Sequence, residues 1–219
     1  MSLDTLYQEK PDTYFGNARH DIVARLGTGP GSAVLELGCG AGGTGAAALA
    51  AGKAGRYTGL EMSPKAAATA RTRLTEVVEG NVESLDLSAW SGAYDALIIS
   101  EVLEHLTDPW RVVRDLAACL KPGSQVFASS PNVAHWRVVR SLLLGRFDYE
   151  ESGVMDRTHL RWFTPATYRD MFEQAAITVT AVEPLSPPAP RTRFINGLTR
   201  NRFRHLFMEQ IMVVGVKRP

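Results

Sequence analysis

The sequence predicts a doubly wound α/β domain built on a mostly parallel sheet. Three observations predict it. The apolar run Ala33 to Leu37 passes straight into the glycine cluster Gly38-Cys39-Gly40-Ala41-Gly42-Gly43. Short apolar strands and helical segments then alternate at regular spacing. Tyr94 to Ser100 is a nearly unbroken apolar run, as expected of a strand covered on both faces. In such folds ligands sit beyond the carboxyl ends of the strands.

Each element follows in order. Ala18 to Leu26 places Ile22, Val23 and Leu26 on one side of a helix, and Gly27-Thr28-Gly29-Pro30-Gly31 breaks it. Strand one is Ala33 to Leu37, followed by an alanine-rich helix through Ala50. Arg56 to Leu60 forms strand two, ending at Glu61, and Ser63-Pro64 caps a helix running to about Leu74. Val77 to Glu79 is strand three and Tyr94 to Ser100 strand four. Pro109 to Leu120 is a helix stopped by Lys121-Pro122-Gly123, and Gln125 to Ser130 makes strand five. Residues 131 to 163 interrupt the rhythm with aromatics, arginines and histidines, and read as a substrate lid. A plain helix resumes at Thr164-Pro165 and runs through Ala176. Ile177 to Val182 and Ile211 to Val216 alternate as strands six and seven. Between them, Arg191, Arg193, Arg200, Arg202 and Arg204 lie without an acidic neighbour, either as a solvated loop or as a site for an anionic group.

A chain of 219 residues suits one domain, residues 1 to 219, with an N-terminal cap segment at 1 to 29 and the lid at 131 to 163; a chain this long buries about 70% of its unfolded surface. Cys39 and Cys119 make no disulfide framework, which fits a reducing cytoplasm. Nothing resembles a leader or a membrane span. Lys and Arg number 24 against 23 Asp and Glu, so global charge does not argue for nucleic acid.

Gly38, Gly40 and Gly43 show a GxGxxG spacing, which alone is weak because glycines also serve ordinary turns. Glu36 narrows the ligand. A carboxylate beside the turn would repel a pyrophosphate and attract a cation. S-adenosylmethionine carries a sulfonium and an ammonium, and so suits this turn better than NAD.

Leu35-Glu36-Leu37-Gly38-Cys39-Gly40-Ala41-Gly42 resembles the first motif of class I S-adenosylmethionine-dependent methyltransferases, and later segments through about residue 130 fall in that family's order. The resemblance implies a Rossmann-like, seven-stranded sheet with an antiparallel last strand. It implies S-adenosyl-L-methionine as cofactor and S-adenosyl-L-homocysteine as product. Glu61 stands where the family places the acid that accepts the ribose hydroxyls, and Met62 where an apolar side chain covers the adenine. Asn81 stands in the place of an acid that takes the adenine amino group, and Val82 supplies the adjacent backbone amide. Ser100 and Glu101 fall beside the methionine moiety and the reacting methyl. Tyr14, Asn17 and Arg19 fall in an N-terminal segment that many relatives fold over the cofactor, with Arg19 facing its carboxylate.

His105 is the first candidate catalytic base and His159 the second, because a neutral imidazole can take the acceptor's proton near working pH. Asp156 and His159 show no complete metal-ligand spacing, so no metal is expected. Methyl transfer from a sulfonium needs chiefly alignment and exclusion of water.

The lid segments Ser130 to Arg137 and Asp156 to Thr164 resemble bacterial small-molecule methyltransferases of sugar and glycan pathways. Pro131-Asn132, Trp136-Arg137 and Leu143-Leu144-Gly145-Arg146 also resemble the methionine biosynthesis protein W family, which is implicated in supporting an acyltransferase partner. The first resemblance implies methylation of an oxygen or nitrogen on a small polar acceptor, such as a sugar or glycan precursor. The second implies a cofactor-binding accessory protein. A protein partner or a homodimer stays open beside the small-molecule acceptor. Nucleic-acid methylation is disfavoured, because Ser100-Glu101-Val102 stands where base methyltransferases carry an Asn-Pro-Pro-Tyr motif.

Overall fold

The computed structural model describes residues 18–187 and 189–219. Seven strands form one sheet: β1 (Ala33–Leu37), β2 (Arg56–Glu61), β3 (Glu76–Glu79), β4 (Tyr94–Ser100), β5 (Leu120–Pro131), β6 (Ile177–Pro184) and β7 (Gln210–Lys217). Their order is β3-β2-β1-β4-β5-β7-β6. The pairs β1/β2, β1/β4, β2/β3 and β4/β5 are parallel, whereas β7 runs antiparallel to both neighbours. The strand order reverses between β1 and β4, which opens a crevice at their carboxyl ends.

Alternation of side chains along the central strands builds a core on each face. Leu35, Leu37, Leu97 and Ile99 pack with Val113, Leu116, Tyr168 and Phe172 of helices α4 (Pro109–Ala118) and α6 (Pro165–Gln174). Val34, Ala96 and Ile98 pack instead with Ile22 and Val23 of α1 (His20–Arg25) and Ala48 of α2 (Gly43–Ala50). Helix α3 (Pro64–Ala70) starts as expected, with Pro64 in its first turn and the Ser63 side chain accepting from the Ala66 amide.

Four expectations are corrected. Helix α3 ends at Ala70, not near Leu74, because Thr72 to Leu74 turn back onto its last carbonyls. Strand β5 begins at Leu120, before Lys121-Pro122-Gly123, because Leu120 pairs with Tyr94 across a local register shift. The lid holds a helix of its own, α5 (Trp136–Leu143), which the run of arginines and aromatics obscured. The arginine segment is not plain loop, because Pro190–Leu198 forms α7 with Phe194 and Leu198 left exposed.

Candidate active site at the strand ends

A cavity lies beyond the carboxyl ends of β1, β2 and β4. Leu37, Gly38, Glu61, Met62, Asn81 and Val82 line one side, and Val102, His105, Thr158 and Leu160 the other. The turn after β1 is left-handed at Gly38 (φ +72°), Gly40 (+53°) and Gly42 (+80°), a conformation that glycine adopts without steric cost. A Cβ at Gly38 would also stand 2.4 Å from Val102 Cγ2, so the turn and the segment after β4 pack too closely for a side chain.

Glu61, 2% exposed, ends β2 at this turn. Its Oε2 accepts from the Gly40 amide at 2.9 Å, and its Oε1 accepts from the Ser63 amide at 2.8 Å. Burial raises its carboxyl above the ordinary range, and the backbone donors pull it back. Each oxygen has capacity for a further donor, and Glu61 lines the cavity.

Past β3, Asn81 caps a short 3₁₀ turn (Val82–Ser84), its Oδ1 accepting from the Glu83 amide at 2.9 Å. The Glu83 carboxylate then accepts from the amides of Thr107 and Asp108, at 3.1 and 2.8 Å, and ties this loop to the one after β4. Sequence reading passed over Glu83, since nothing in its spacing marks it as a brace.

The segment after β4 carries the denser chemistry. Glu101 is a non-glycine residue at φ +54°, a strained position of the kind that collects at functional sites. Its Oε2 accepts from Gln210 Nε2 at 3.1 Å. Glu104 is buried and accepts from Ser130 Oγ at 3.1 Å. Burial first, and the neighbouring Glu101 charge second, push the Glu104 carboxyl far above its ordinary range. His105 Nδ1 donates to the Thr158 carbonyl at 3.2 Å, because a carbonyl can only accept. His159 Nδ1 donates likewise to the Val154 carbonyl at 3.1 Å. The two imidazoles meet edge to face with centroids 4.8 Å apart. A Glu104 oxygen and one ring nitrogen from each histidine lie within 4.8 Å of one another. Linear spacing had shown no such ligand set. Glu104 was missed among the candidates, although its place directly before His105 and three residues after Glu101 is the signal that would have found it.

The expected site residues separate into two groups. Gly38, Glu61, Met62, Asn81, Val82 and His105 line the cavity, and the His159 ring, outside the lining, packs edge to face against His105. Glu36 does not line it. As strand alternation requires, its side chain shares the Val34 face, where the Tyr57 hydroxyl donates to Oε2 at 3.0 Å and burial raises its pKa to about 7. Glu36 is therefore a buried carboxyl, 2% exposed, and not a residue of the cavity wall. Arg19 is also outside the cavity lining. Its guanidinium grips Asp21 through two bonds of 2.8 Å and donates to Ser100 Oγ and Ser129 Oγ at 3.1 and 3.0 Å. Ser100 and Glu101 are likewise outside the cavity lining, Ser100 accepting from Arg19 and Glu101 from Gln210. Tyr14 and Asn17 lie outside the described residues.

Comparison with known proteins agrees with this architecture. A family model described as a methyltransferase domain matches residues 9–182. A ubiquinone biosynthesis O-methyltransferase of Xanthomonas campestris pv. campestris is 35% identical over 129 residues, covering 57% of this chain and 53% of that protein. The chain thus spans about half the length of such curated relatives. A solved S-adenosylmethionine-dependent methyltransferase from Archaeoglobus fulgidus superposes with a TM-score of 0.67 at 19% identity, over 94% of this chain and 97% of that one. Phosphoethanolamine N-methyltransferase 2 of Haemonchus contortus, solved with S-adenosyl-L-methionine, gives 0.71 at 14% identity, over 100% and 60%.

Proposed function

Because the chain belongs to the class I S-adenosylmethionine-dependent methyltransferase family, we propose that it methylates an oxygen of a small, polar, ring-shaped acceptor. The observation that carries this reading is one cavity that joins the glycine turn and Glu61 at one end to His105 at the other. S-adenosyl-L-methionine supplies a methyl group already activated on sulfur. Glu61 takes the ribose hydroxyls on its second lone pairs. Met62 and Val82 offer apolar cover for the adenine, and Asn81 faces its amino group. Gly38 brings backbone rather than side chain to the ligand.

His105 and His159 stand at the acceptor end, where the acceptor's proton must be handled. Oxygen is favoured over nitrogen by the O-methyltransferase names of the relatives. Within the lid, Phe147, Tyr149 and Trp162 pack against one another and offer aromatic surface suited to a ring as the body of the acceptor. A sugar hydroxyl and a phenol both satisfy these terms.

The test is release of S-adenosylhomocysteine from purified protein supplied with cofactor and two acceptor panels, nucleotide sugars and dihydroxylated aromatics. Turnover with either supports the reading. Tight cofactor binding without turnover on any hydroxyl or amine acceptor favours the accessory role instead.

A further inference from the structure

We propose that a second cleft, formed between helix α5 and the rest of the lid, binds a pyranose sugar unit. That this unit belongs to the molecule being methylated rests on the methyl-transfer reading; the chemistry of the cleft stands apart from it.

The cleft has a volume of about 190 Å³. One water needs about 15 Å³ of such space, so there is room for about a dozen, and a six-membered ring with its hydroxyl groups fits. The walls come from the start of α5, from the loop after it, from the turn at Gly153 to Met155, and from Glu209 ahead of β7. Backbone bonds make that turn firm, the Glu150 amide donating to the Met155 carbonyl at 2.8 Å and the Arg157 amide to the Glu150 carbonyl at 3.0 Å. Val154 lines the cleft, its carbonyl accepts from His159 Nδ1 at 3.1 Å, and the His159 ring packs against His105 of the first cavity. One turn and one imidazole thus link the walls of the two cavities.

Three features identify the occupant. First, His135 is only 9% exposed and lines the cleft, yet its ring makes no hydrogen bond to any described residue and does not cap α5. Burial holds its pKa below the ordinary range, against the Glu209 carboxylate and with the help of the Arg137 charge. Near neutral pH one ring nitrogen therefore donates and the other accepts, and a sugar hydroxyl can answer either. Second, the charges of the walls nearly balance, Arg137 and Arg146 being set against Asp148, Glu150 and Glu209. A phosphate would meet three carboxylates and an ammonium two guanidiniums, whereas hydroxyl groups donate to the carboxylates and accept from the guanidiniums. The Arg146–Asp148 pair at 2.7 Å is exposed on both sides and yields readily to such a ligand. Third, Phe147 lines the cleft with 44% of its surface exposed, and its ring meets those of Tyr149 and Trp162 at steep angles. The face of an aromatic ring is its negative part and attracts the C–H edge of a pyranose. Among the described residues the cleft holds no three ligand atoms close enough for a metal ion.

The experiment uses the full chain and ligand-detected saturation-transfer NMR with the methyl glycosides of glucose, galactose, mannose, rhamnose and N-acetylglucosamine, followed by titration of the strongest binder. Thermal unfolding with S-adenosylhomocysteine is measured on the same protein. At least one glycoside is expected to bind, with its ring C–H protons receiving the most saturation. Phe147→Ala and Glu209→Gln change exposed side chains and should each weaken that binding at least about tenfold while leaving the S-adenosylhomocysteine response in place. His135→Gln should weaken it as well; if that variant fails to fold, the two exposed ones decide. No binding of any glycoside, or binding that both exposed variants retain, overturns the site. A response to S-adenosylhomocysteine without glycoside binding overturns the cleft alone and leaves methyl transfer standing. Glycoside binding without that response overturns the methyl-transfer reading and leaves the cleft as a sugar site.

Discussion

The Glu61 carboxylate accepts the backbone amide of Gly40 at 2.9 Å, and so one side chain at the end of β2 fixes the glycine turn that follows β1. Its other oxygen holds the Ser63 amide at the start of α3. The group assigned to the ribose therefore also shapes the turn beside it, and its two roles fail together.

Glu61→Ala leaves the Gly40 and Ser63 amides without their partner, at a cost of about 1–3 kcal/mol each where buried. The expected outcome is a lower unfolding midpoint in the free protein and S-adenosylhomocysteine affinity reduced at least about tenfold. Calorimetric titration of the folded variant checks this, and unchanged affinity would remove Glu61 from the cofactor site.

Gly38→Ala meets two obstacles, a left-handed φ of +72° and Val102 Cγ2 at 2.4 Å from the new methyl group. The strained backbone costs about 1–3 kcal/mol and the clash adds to it. Denaturant unfolding should show that Val102→Ala, added to Gly38→Ala, restores part of the loss but not all. Full restoration would show that backbone strain contributes nothing.

Glu36 gives the fold a pH dependence. Burial lifts its pKa from 4.5 to about 7, so the folded state holds the proton more tightly than the unfolded chain. Its contribution to stability is greatest below pH 4.5, declines as the pH rises to about 7, and is flat above. The decline amounts to about 3 kcal/mol. Glu36→Gln keeps an acceptor for Tyr57 and should abolish this decline, so the variant matches the parent near pH 4 and exceeds it near pH 8. Parallel stability curves across that range would contradict the assignment.

Asn132 pins the lid to the approach of β7. Its Nδ2 donates to the carbonyls of His205 and Met208, both at 2.7 Å, and its Oδ1 accepts from the Ala134 amide at 2.9 Å. Asn132→Asp sets a buried carboxylate against two carbonyls and should destabilise by about 3 kcal/mol or more, read by denaturant unfolding near neutral pH. A loss under 1 kcal/mol would show that the lid is held elsewhere.

Much of this was legible in the residues. The bounds of β1 and β4 follow from apolar runs that end at a glycine turn and at Ser100, and Ser63-Pro64 states its helix cap outright. Helices α5 and α7 were not legible, because their arginines and exposed apolar residues present no clean buried stripe. Cavity-lining residues such as Gly38, Glu61 and Asn81 were legible because each lies at or just past the end of a strand. Glu36 misled, since proximity to the turn in sequence does not say which face of β1 a side chain takes. The meeting of Glu104 and His105 with His159 was hidden, because His159 and the Thr158 carbonyl that orients the His105 ring come from a lid more than fifty residues downstream of His105.

The central claim is that S-adenosylmethionine occupies the cavity between the glycine turn and His105. Thermal unfolding with S-adenosylmethionine, S-adenosylhomocysteine or NAD, each at about a hundredfold excess over its dissociation constant, tests it most directly. The account predicts stabilisation by about 2.7 kcal/mol, or roughly 5–10 °C, with both adenosyl ligands and none with NAD. No shift with either adenosyl ligand, or an equal shift with NAD, would contradict it.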